Sequence, residues 1–469
     1  MYRIESLFLI SKKTVKKILN LLLESGGDFA EIFIQSRISN NLRLDDNKIE
    51  NVSSGYETGC GLRLIYDDST YYAFIDSVDK DRLIESANVV KSAINGSKKI
   101  NVLNLEKRKS NYITRVINYP NLVDPDEKAG YLLSANKAAR EISSKIMQVT
   151  SVINDIQEYE LIANSEGYYS ENKSVKTFMA ANAIAMKSGE IRTGYKSYAL
   201  TRGMEIFTKK KPEDIARQAA QIAVRMLDAE NAPTGAMPVI IGPGFGGVIF
   251  HEACGHSLEA DAVVKDASVF KDKIGKKIAS ECVNAIDDAT LKYHWGSYKF
   301  DGEGYPSRRN LLIKEGILLS YLTDYKSAKK MKTALSGNAR RQSYRDIPYP
   351  RMSNTFIDSG RENPEDIIKS IDSGIYAKEF AGGQVDPATG DFVFGISEGY
   401  IVKKGTLCEP IKGATLIGNG PEVLKKIIMV GNNLEFSPGF CGKNGQSIAN
   451  EVGQPTLLVS SMTVGGTEI

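Results

Sequence analysis

Histidine and tryptophan are scarce in this chain, which has three histidines and one tryptophan among 469 residues. Its five cysteines are odd in number and include no C-x-x-C pair, a pattern typical of a reducing compartment. No apolar run reaches the roughly 18 residues that a membrane-spanning helix needs. The 60 basic and 57 acidic residues nearly cancel, which gives no indication of a nucleic-acid or polyanion partner. We therefore expect a cytoplasmic protein that binds neither membrane nor nucleic acid.

The length and composition indicate a globular protein with two or three domains. Hydrophobic residues make up 42% of the chain and charged residues 25%, which is ordinary for a protein with a substantial core. The turn-forming segment 231–235, Asn-Ala-Pro-Thr-Gly, marks the clearest domain boundary. We predict an α+β fold with an N-terminal domain over residues 1–230 and a C-terminal domain over residues 236–469.

The N-terminal half alternates helical and strand patterns. A first amphipathic helix is predicted after Ser11, and further helices are predicted at residues 79–94, at 124–146 and from Pro212 onward. Strands are predicted at residues 29–38, 41–51, 56–66, 70–75 and between 147 and 200. These patterns predict an antiparallel sheet covered by long helices.

Beyond residue 235 glycine becomes frequent and hairpins predominate, with turns predicted at Glu315-Gly316 and Lys404-Gly405. A predicted strand at residues 237–242 leads through the glycine-rich segment 243–247 into a helix. Such a turn can cradle phosphate, but no Lys-Ser/Thr pair follows it. Glycines that permit close backbone approach beneath a metal site are the better interpretation. The C-terminal domain is therefore predicted to be mostly β and to carry a metal-site helix.

Two of the three histidines lie five positions apart in the motif His251-Glu-Ala-Cys-Gly-His256. Neutral imidazoles hold a zinc ion without cancelling its charge, and a nearby carboxylate such as Glu252 can accept a proton from an activated water. In H-E-x-x-H the histidines are four apart and lie about 40° apart around a regular helix. A spacing of five gives about 140°, so a π-bulge or local break is needed, and Gly255 is where the helix yields most easily. The alternative is that the two histidines are unrelated.

A catalytic zinc usually has three protein ligands, so a third must lie elsewhere in the chain. The residues leave four candidates open: Glu259, Cys254, His294 and Cys441. Chemistry alone favours Cys441, because a thiolate in its glycine-rich segment could approach a metal unobstructed.

The His251-Glu-x-x-x-His256 motif and several others make the chain similar to the TldD/PmbA family of metallopeptidases. The other motifs are Asp301-Gly-Glu-Gly304, Gly337-Asn-Ala-Arg-Arg-Gln-Ser343, Pro348-Tyr-Pro-Arg-Met352, Gly382-Gly-Gln-Val-Asp386, Lys412-Gly-Ala-Thr-Leu-Ile-Gly418, Cys441-Gly-Lys-Asn-Gly-Gln446 and Val464-Gly-Gly466. The resemblance covers essentially the whole C-terminal half. The N-terminal half is similar mainly in its order of helices and strands.

The resemblance implies a zinc peptidase that binds one Zn²⁺ per chain through His251, His256 and Cys441, with Glu252 as general base. Because every metal position is kept, the chain resembles the TldD-like branch rather than the branch that has lost the motif. The implied partner is a TldE/PmbA-like subunit in a heterodimer or a second copy in a homodimer, around an enclosed chamber. The implied substrates are unfolded or short peptide segments.

Two other functions stay open. One is a non-catalytic scaffold or partner subunit with bound zinc, although structural zinc normally has four protein ligands and would leave Glu252 without a purpose. The other is a metal-dependent amidase for small molecules, for which a deep closed pocket is expected. For substrate binding or transition-state stabilisation the candidates are His294, Arg340, Arg341 and Tyr344.

Overall fold

The computed structural model of the protein describes residues 10–96, 100–110, 112, 114–386 and 388–466. Within them the fold is α+β, as predicted, and no helix combines the length and apolar character that crossing a membrane would need. The helices and strands of the first half are α1 (Lys12–Leu22), β1 (Phe29–Asp45), β2 (Lys48–Tyr66), β3 (Ser69–Ile75), α2 (Lys80–Ser92), β4 (Glu106–Lys107), α3 (Pro125–Arg140), β5 (Ile146–Asn164), β6 (Tyr168–Lys187), β7 (Glu190–Leu200) and α4 (Pro212–Arg225).

The first half forms one seven-stranded sheet in the order β3-β2-β1-β5-β6-β4, with β7 also paired to β6. Helices α1 and α2 cover one stretch of it through a core that includes Ile18 and Leu62, and α3 and α4 cover another that includes Met179 and Ile215. Side chains of Ser11 and Asp79 accept hydrogen bonds from backbone N–H groups at the start of α1 and α2. These caps agree with the predicted helix starts.

The predicted strand boundaries at residues 38–41 and 51–56 were wrong. Strands β1 and β2 are continuous and pair residue by residue from Phe29–Ile65 to Asp45–Lys48, with a shift only at Arg43/Leu44. The turn lies instead at Asp46 and Asn47, which have φ of 44° and 73°. Helix α3 is also shorter than the predicted 124–146, because the chain enters β5 at Ile146.

The second half is mostly β, as predicted. Its elements are β8 (Glu230–Asn231), β9 (Gly235–Ile241), α5 (Val248–Phe250), α6 (Ala260–Val264), β10 (Ala285–Asp288), β11 (Arg309–Lys314), β12 (Ile317–Leu318), α7 (Tyr325–Met331), β13 (Ala339–Arg340), β14 (Tyr349–Pro350), β15 (Asn354–Ile357), α8 (Pro364–Lys369), β16 (Ser373–Val385), β17 (Asp391–Lys403), β18 (Thr406–Lys412), β19 (Thr415–Asn419), α9 (Gly420–Lys426), β20 (Ile427–Val430), β21 (Glu435–Lys443), β22 (Gln446–Gln454) and β23 (Leu457–Gly465). The predicted turns at Glu315-Gly316 and Lys404-Gly405 are confirmed, with positive φ at all four residues.

Two sheets of the second half frame the site. In one sheet β9, β23, β19, β17 and β16 close into a ring, because each strand pairs with two of the others. The other is six-stranded in the order β12-β11-β10-β15-β22-β21. Strand β9 of the ring leads directly into the helical segment with His251, and β21 at the edge of the second sheet carries Cys441.

Candidate metal centre

The helical segment that carries the two histidines packs closely on strand β22. It begins with a 3₁₀ turn at Gly244–Gly247 and continues through α5 into a π-helical turn at His251–Gly255. A Cβ atom on Gly247 would lie 2.6 Å from the carbonyl oxygen of Gly453, so the backbones approach as closely as only glycine permits. The glycine-rich segment thus serves close packing beneath the histidines, as the sequence suggested.

The π-helical turn resolves the five-residue spacing of the histidines. The backbone N–H of His256 donates to the carbonyl of His251, a hydrogen bond across five residues rather than four. The predicted bulge is therefore confirmed. The imidazole centroids lie 5.1 Å apart with their planes at 84°, so both rings face one small volume.

Strand β21 brings Cys441 into this volume. In the β21–β22 register Cys441 lies opposite Ile448, and its Sγ atom lies 3.4 Å from Nε2 of His256. One ligand atom from each of His251, His256 and Cys441 lies within 4.8 Å of the other two. Two imidazole nitrogens and a thiolate form a donor set typical of zinc, so the three residues fit that metal.

The electrostatic environment keeps Cys441 ionised. Burial opposes the thiolate, but His251 and then His256 outweigh it and lower the pKa of Cys441 to about 4. In contrast, burial raises the pKa of the thiol of Cys254, which lies in the π-helical turn between the two histidines. Because the thiolate is the metal-binding form, the two cysteines differ in their readiness to bind zinc.

The carboxylate of Glu252 lies near one of the three donor atoms. Its Oε2 atom is 3.7 Å from Nε2 of His256, and 33% of its side chain is exposed. It is therefore close to the donor atom of His256 and accessible from solvent.

Glu259, a candidate third ligand, lies on the far side of His256. Its Oε2 atom accepts a hydrogen bond from Nδ1 of His256 at 3.0 Å and another from Nζ of Lys443 at 2.7 Å. Burial opposes its ionisation, but His256 and Lys443 lower the pKa of Glu259 to about 2. This contact leaves Nε2 of His256, the nitrogen that faces Cys441, free to bind a metal.

The remaining candidate ligands lie elsewhere. Cys254 is buried in the hydrophobic core of the second half. Nδ1 of His294 lies 2.6 Å from Oε2 of Glu451, and its ring meets the ring of Phe436 edge-on. Neither belongs to the cluster of donor atoms found among the described residues.

The three candidate substrate-binding residues of segment 340–344 are held by other parts of the protein. Arg340 donates to the backbone carbonyls of Met352 and Ala449, at 2.6 Å each. Arg341 pairs with Glu31 of strand β1, and the Tyr344 hydroxyl donates to Asp76. The latter two side chains thus connect the second half of the protein to the first.

Two buried residues beside the donor cluster were missed by the sequence reasoning. The amide nitrogen of Asn450 lies 3.2 Å from Nδ1 and 3.4 Å from Nε2 of His251. Nη2 of Arg351 donates to the carbonyl oxygen of Cys441 at 2.6 Å. Arg351 lies within one of the quoted motifs, whereas nothing in the local sequence singles out Asn450.

Family models match three consecutive segments of the chain. They are described as PmbA/TldA metallopeptidase domain 1 (residues 30–95), the central domain (residues 118–227) and the C-terminal domain (residues 234–466). Together the three segments cover well over half of the 469 residues.

Curated relatives match over nearly the whole length. A "Metalloprotease TldD homolog" from Buchnera aphidicola is 36% identical over 451 residues, which cover 94% of this chain and 93% of the relative. The Haemophilus influenzae protein of the same description is 35% identical, with 98% and 97% coverage. A "Zinc metalloprotease TldD homolog" from Saccharolobus solfataricus is 27% identical, with 94% and 98% coverage.

Solved structures share the fold. A Thermotoga maritima protein superposes with a TM-score of 0.81 at 20% identity, covering 97% of this chain and 100% of that one. TldE from Thermococcus kodakarensis superposes with a TM-score of 0.77 at 20% identity, with the same coverage.

Proposed function

Because the chain belongs to the PmbA/TldA family of metallopeptidases, we propose that it is a zinc-dependent peptidase. Its substrates are peptide bonds in unfolded or short peptide segments. The observation that carries this proposal is the convergence of His251, His256 and Cys441 within 4.8 Å beside the carboxylate of Glu252. The Saccharolobus solfataricus relative is named as a zinc metalloprotease, which supports zinc as the metal.

The proposed ligands are the two imidazoles and the thiolate, which hold one Zn²⁺ per chain. A bound zinc would polarise the substrate carbonyl and would lower the pKa of a water molecule so that it ionises near neutral pH. With one thiolate and two neutral imidazoles the site keeps a net charge near +1, which favours both effects. The proposed set has three protein ligands, as in catalytic rather than structural zinc sites.

Glu252 is the proposed general base. Its carboxylate accepts the proton of the attacking water and returns it to the leaving amine. Its position beside Nε2 of His256 and its partial exposure suit both transfers, because the group must reach the reacting water and the substrate. Cys441, His251 and His256 take no part in proton transfer; they hold the metal.

We also propose that the chain works as a dimer, with a TldE/PmbA-like subunit or with a second copy of itself. The superposition on TldE from Thermococcus kodakarensis supports a shared architecture for two such subunits.

The substitution Glu252→Gln tests the proposed function. It keeps the size of the side chain but removes the proton acceptor, so the variant should bind zinc like the wild type and lose peptide hydrolysis by about 10²-fold or more. Zinc content and cleavage of a set of short unstructured peptides are measured on the same preparation. Normal turnover by Glu252→Gln would contradict the proposed role.

A further inference from the structure

Each of the three proposed zinc ligands contacts one buried polar side chain. Glu259 contacts His256, Asn450 contacts His251, and Arg351 contacts the backbone of Cys441. All three contacting side chains are buried, with at most 3% of their surface exposed. Buried polar and charged groups are costly, so their placement around one small site needs a reason.

Several hydrogen bonds hold Glu259 in its contact with His256. In addition to Nδ1 of His256 and Nζ of Lys443, the carboxylate accepts a hydrogen bond from the backbone N–H of Met352 at 3.2 Å. Lys443 is itself anchored to Asp261 at 2.7 Å. Because its oxygens are held from several directions, Glu259 fixes both the orientation of the imidazole and the nitrogen that carries the proton.

Asn450 reaches His251 from strand β22. It lies two residues beyond Ile448, the partner of Cys441, so its side chain is on the same face of the hairpin as the thiolate. A carboxamide can either donate or accept a hydrogen bond. It can therefore stabilise one ring nitrogen of His251 while the other nitrogen binds a metal.

Arg351 acts on Cys441 through the backbone. Its Nη2 atom donates to the Cys441 carbonyl, while Nε and Nη1 have no hydrogen-bond partner among the described residues. Within the same residues it forms no salt bridge with a carboxylate. On the same edge of β21 the indole N–H of Trp295 donates to the carbonyl of Gly439 at 2.9 Å. Side chains therefore hold the edge strand β21 at two alternate residues, Gly439 and Cys441. The buried guanidinium of Arg351 lies beside Cys441, the residue that bears the thiolate.

We propose that Asn450, Glu259 and Arg351 are positioning residues, one for each zinc ligand, and that together they set the affinity and geometry of the site. This inference rests on the proposed function, because it takes His251, His256 and Cys441 as the ligands. It assigns no contact with substrate to any of the three.

The test measures zinc affinity on the purified full chain by competition with a chromophoric chelator. The variants are Asn450→Ala, Glu259→Gln and Arg351→Met, with Arg351→Lys as a second variant if the Met variant fails to fold. Matched controls are Asn136→Ala and Glu398→Gln, which alter buried residues remote from the donor atoms. A second readout is the visible absorption spectrum of the Co²⁺-loaded proteins, which reports ligand geometry and does not respond to a loss of global stability.

We expect each of the three variants to weaken zinc binding by about 10- to 100-fold and to alter the Co²⁺ spectrum, with both controls unchanged. Wild-type affinity and an unaltered spectrum in the three variants would overturn the inference and leave the proposed function standing. A wild-type chain that binds no zinc would overturn both.

Discussion

Sγ of Cys441 lies 3.4 Å from Nε2 of His256, although 185 positions separate the two residues in the chain. The contact joins the edge strand β21 to the helical segment that follows strand β9, so it requires both sheets of the second half. The site is therefore assembled by tertiary structure, and substitutions that disturb the packing between these elements should disturb metal binding.

The first prediction concerns the close packing at Gly247. An alanine Cβ there would meet the carbonyl oxygen, carbon and nitrogen of Gly453, which cannot move without displacing β22. We expect Gly247→Ala to lower the free energy of unfolding by about 1–3 kcal/mol and to weaken zinc binding. Gly130→Ala in α3 is the control, because nothing lies within 4 Å of the added atom. It should stabilise the protein by up to about 1 kcal/mol; equal effects of the two substitutions in urea unfolding would refute the argument.

The second prediction is that Arg341 contributes to the stability of the protein and not to catalysis. The buried guanidinium pairs with Glu31, which is fully buried. Arg341→Met therefore leaves a buried carboxylate whose remaining ion-pair partner, among the residues that the structure describes, is Arg63. Removing one partner of a buried ion pair costs about 3–5 kcal/mol when the other charge is left uncompensated. The remaining contact with Arg63 should keep the cost at the lower end of that range. The exposed pair of Arg217 and Asp214 is the matched control, and Arg217→Met should cost less than about 1 kcal/mol. The folded fraction of Arg341→Met should cleave peptides at the wild-type rate; loss of turnover in fully folded protein would instead give Arg341 a role in catalysis.

The third prediction is a dependence of stability on pH. Burial, and then the neighbouring Glu158, raises the pKa of Glu160 to about 7. In the unfolded chain the same carboxyl ionises near its ordinary pKa of about 4.3. Its contribution to stability is therefore complete below about pH 4.3 and is lost as the pH rises to about 7. Glu160→Gln, which stays neutral, should show a smaller fall in Tm between pH 5 and 8 than the wild type.

The exposed Glu106 provides the control for this experiment. Glu106→Gln should reproduce the wild-type pH profile. Parallel profiles for the wild type and Glu160→Gln would show that Glu160 does not hold a proton in the folded state.

Local patterns were sufficient for some parts of the fold and the site. Helical spacing and capping residues identified α1 and α2, and the geometry of a regular helix was enough to predict the bulge between His251 and His256. The two helices and the bulge depend on interactions between residues a few positions apart, so the local sequence is sufficient to predict them.

Other features depend on interactions between distant segments. The predicted strands at residues 29–38 and 41–51 left a break at Ser39 and Asn40. Strand β1 pairs on both sides there, with β2 and β5, and so continues through these polar residues. Four candidates for the third ligand were open from the residues themselves. The structure brings only Cys441 among them into the donor cluster, through the β21–β22 register, which local sequence does not reveal.

The most direct test of the proposed metal site is the zinc content per chain, measured by native mass spectrometry on the wild type, Cys441→Ala and Cys254→Ala. Cys254 is a matched control, because it is a buried thiol only two residues from His256 that lies outside the donor cluster. We expect about one zinc in the wild type and in Cys254→Ala, and little in Cys441→Ala. Full zinc occupancy in Cys441→Ala, or none in the wild type, would contradict the proposed metal site.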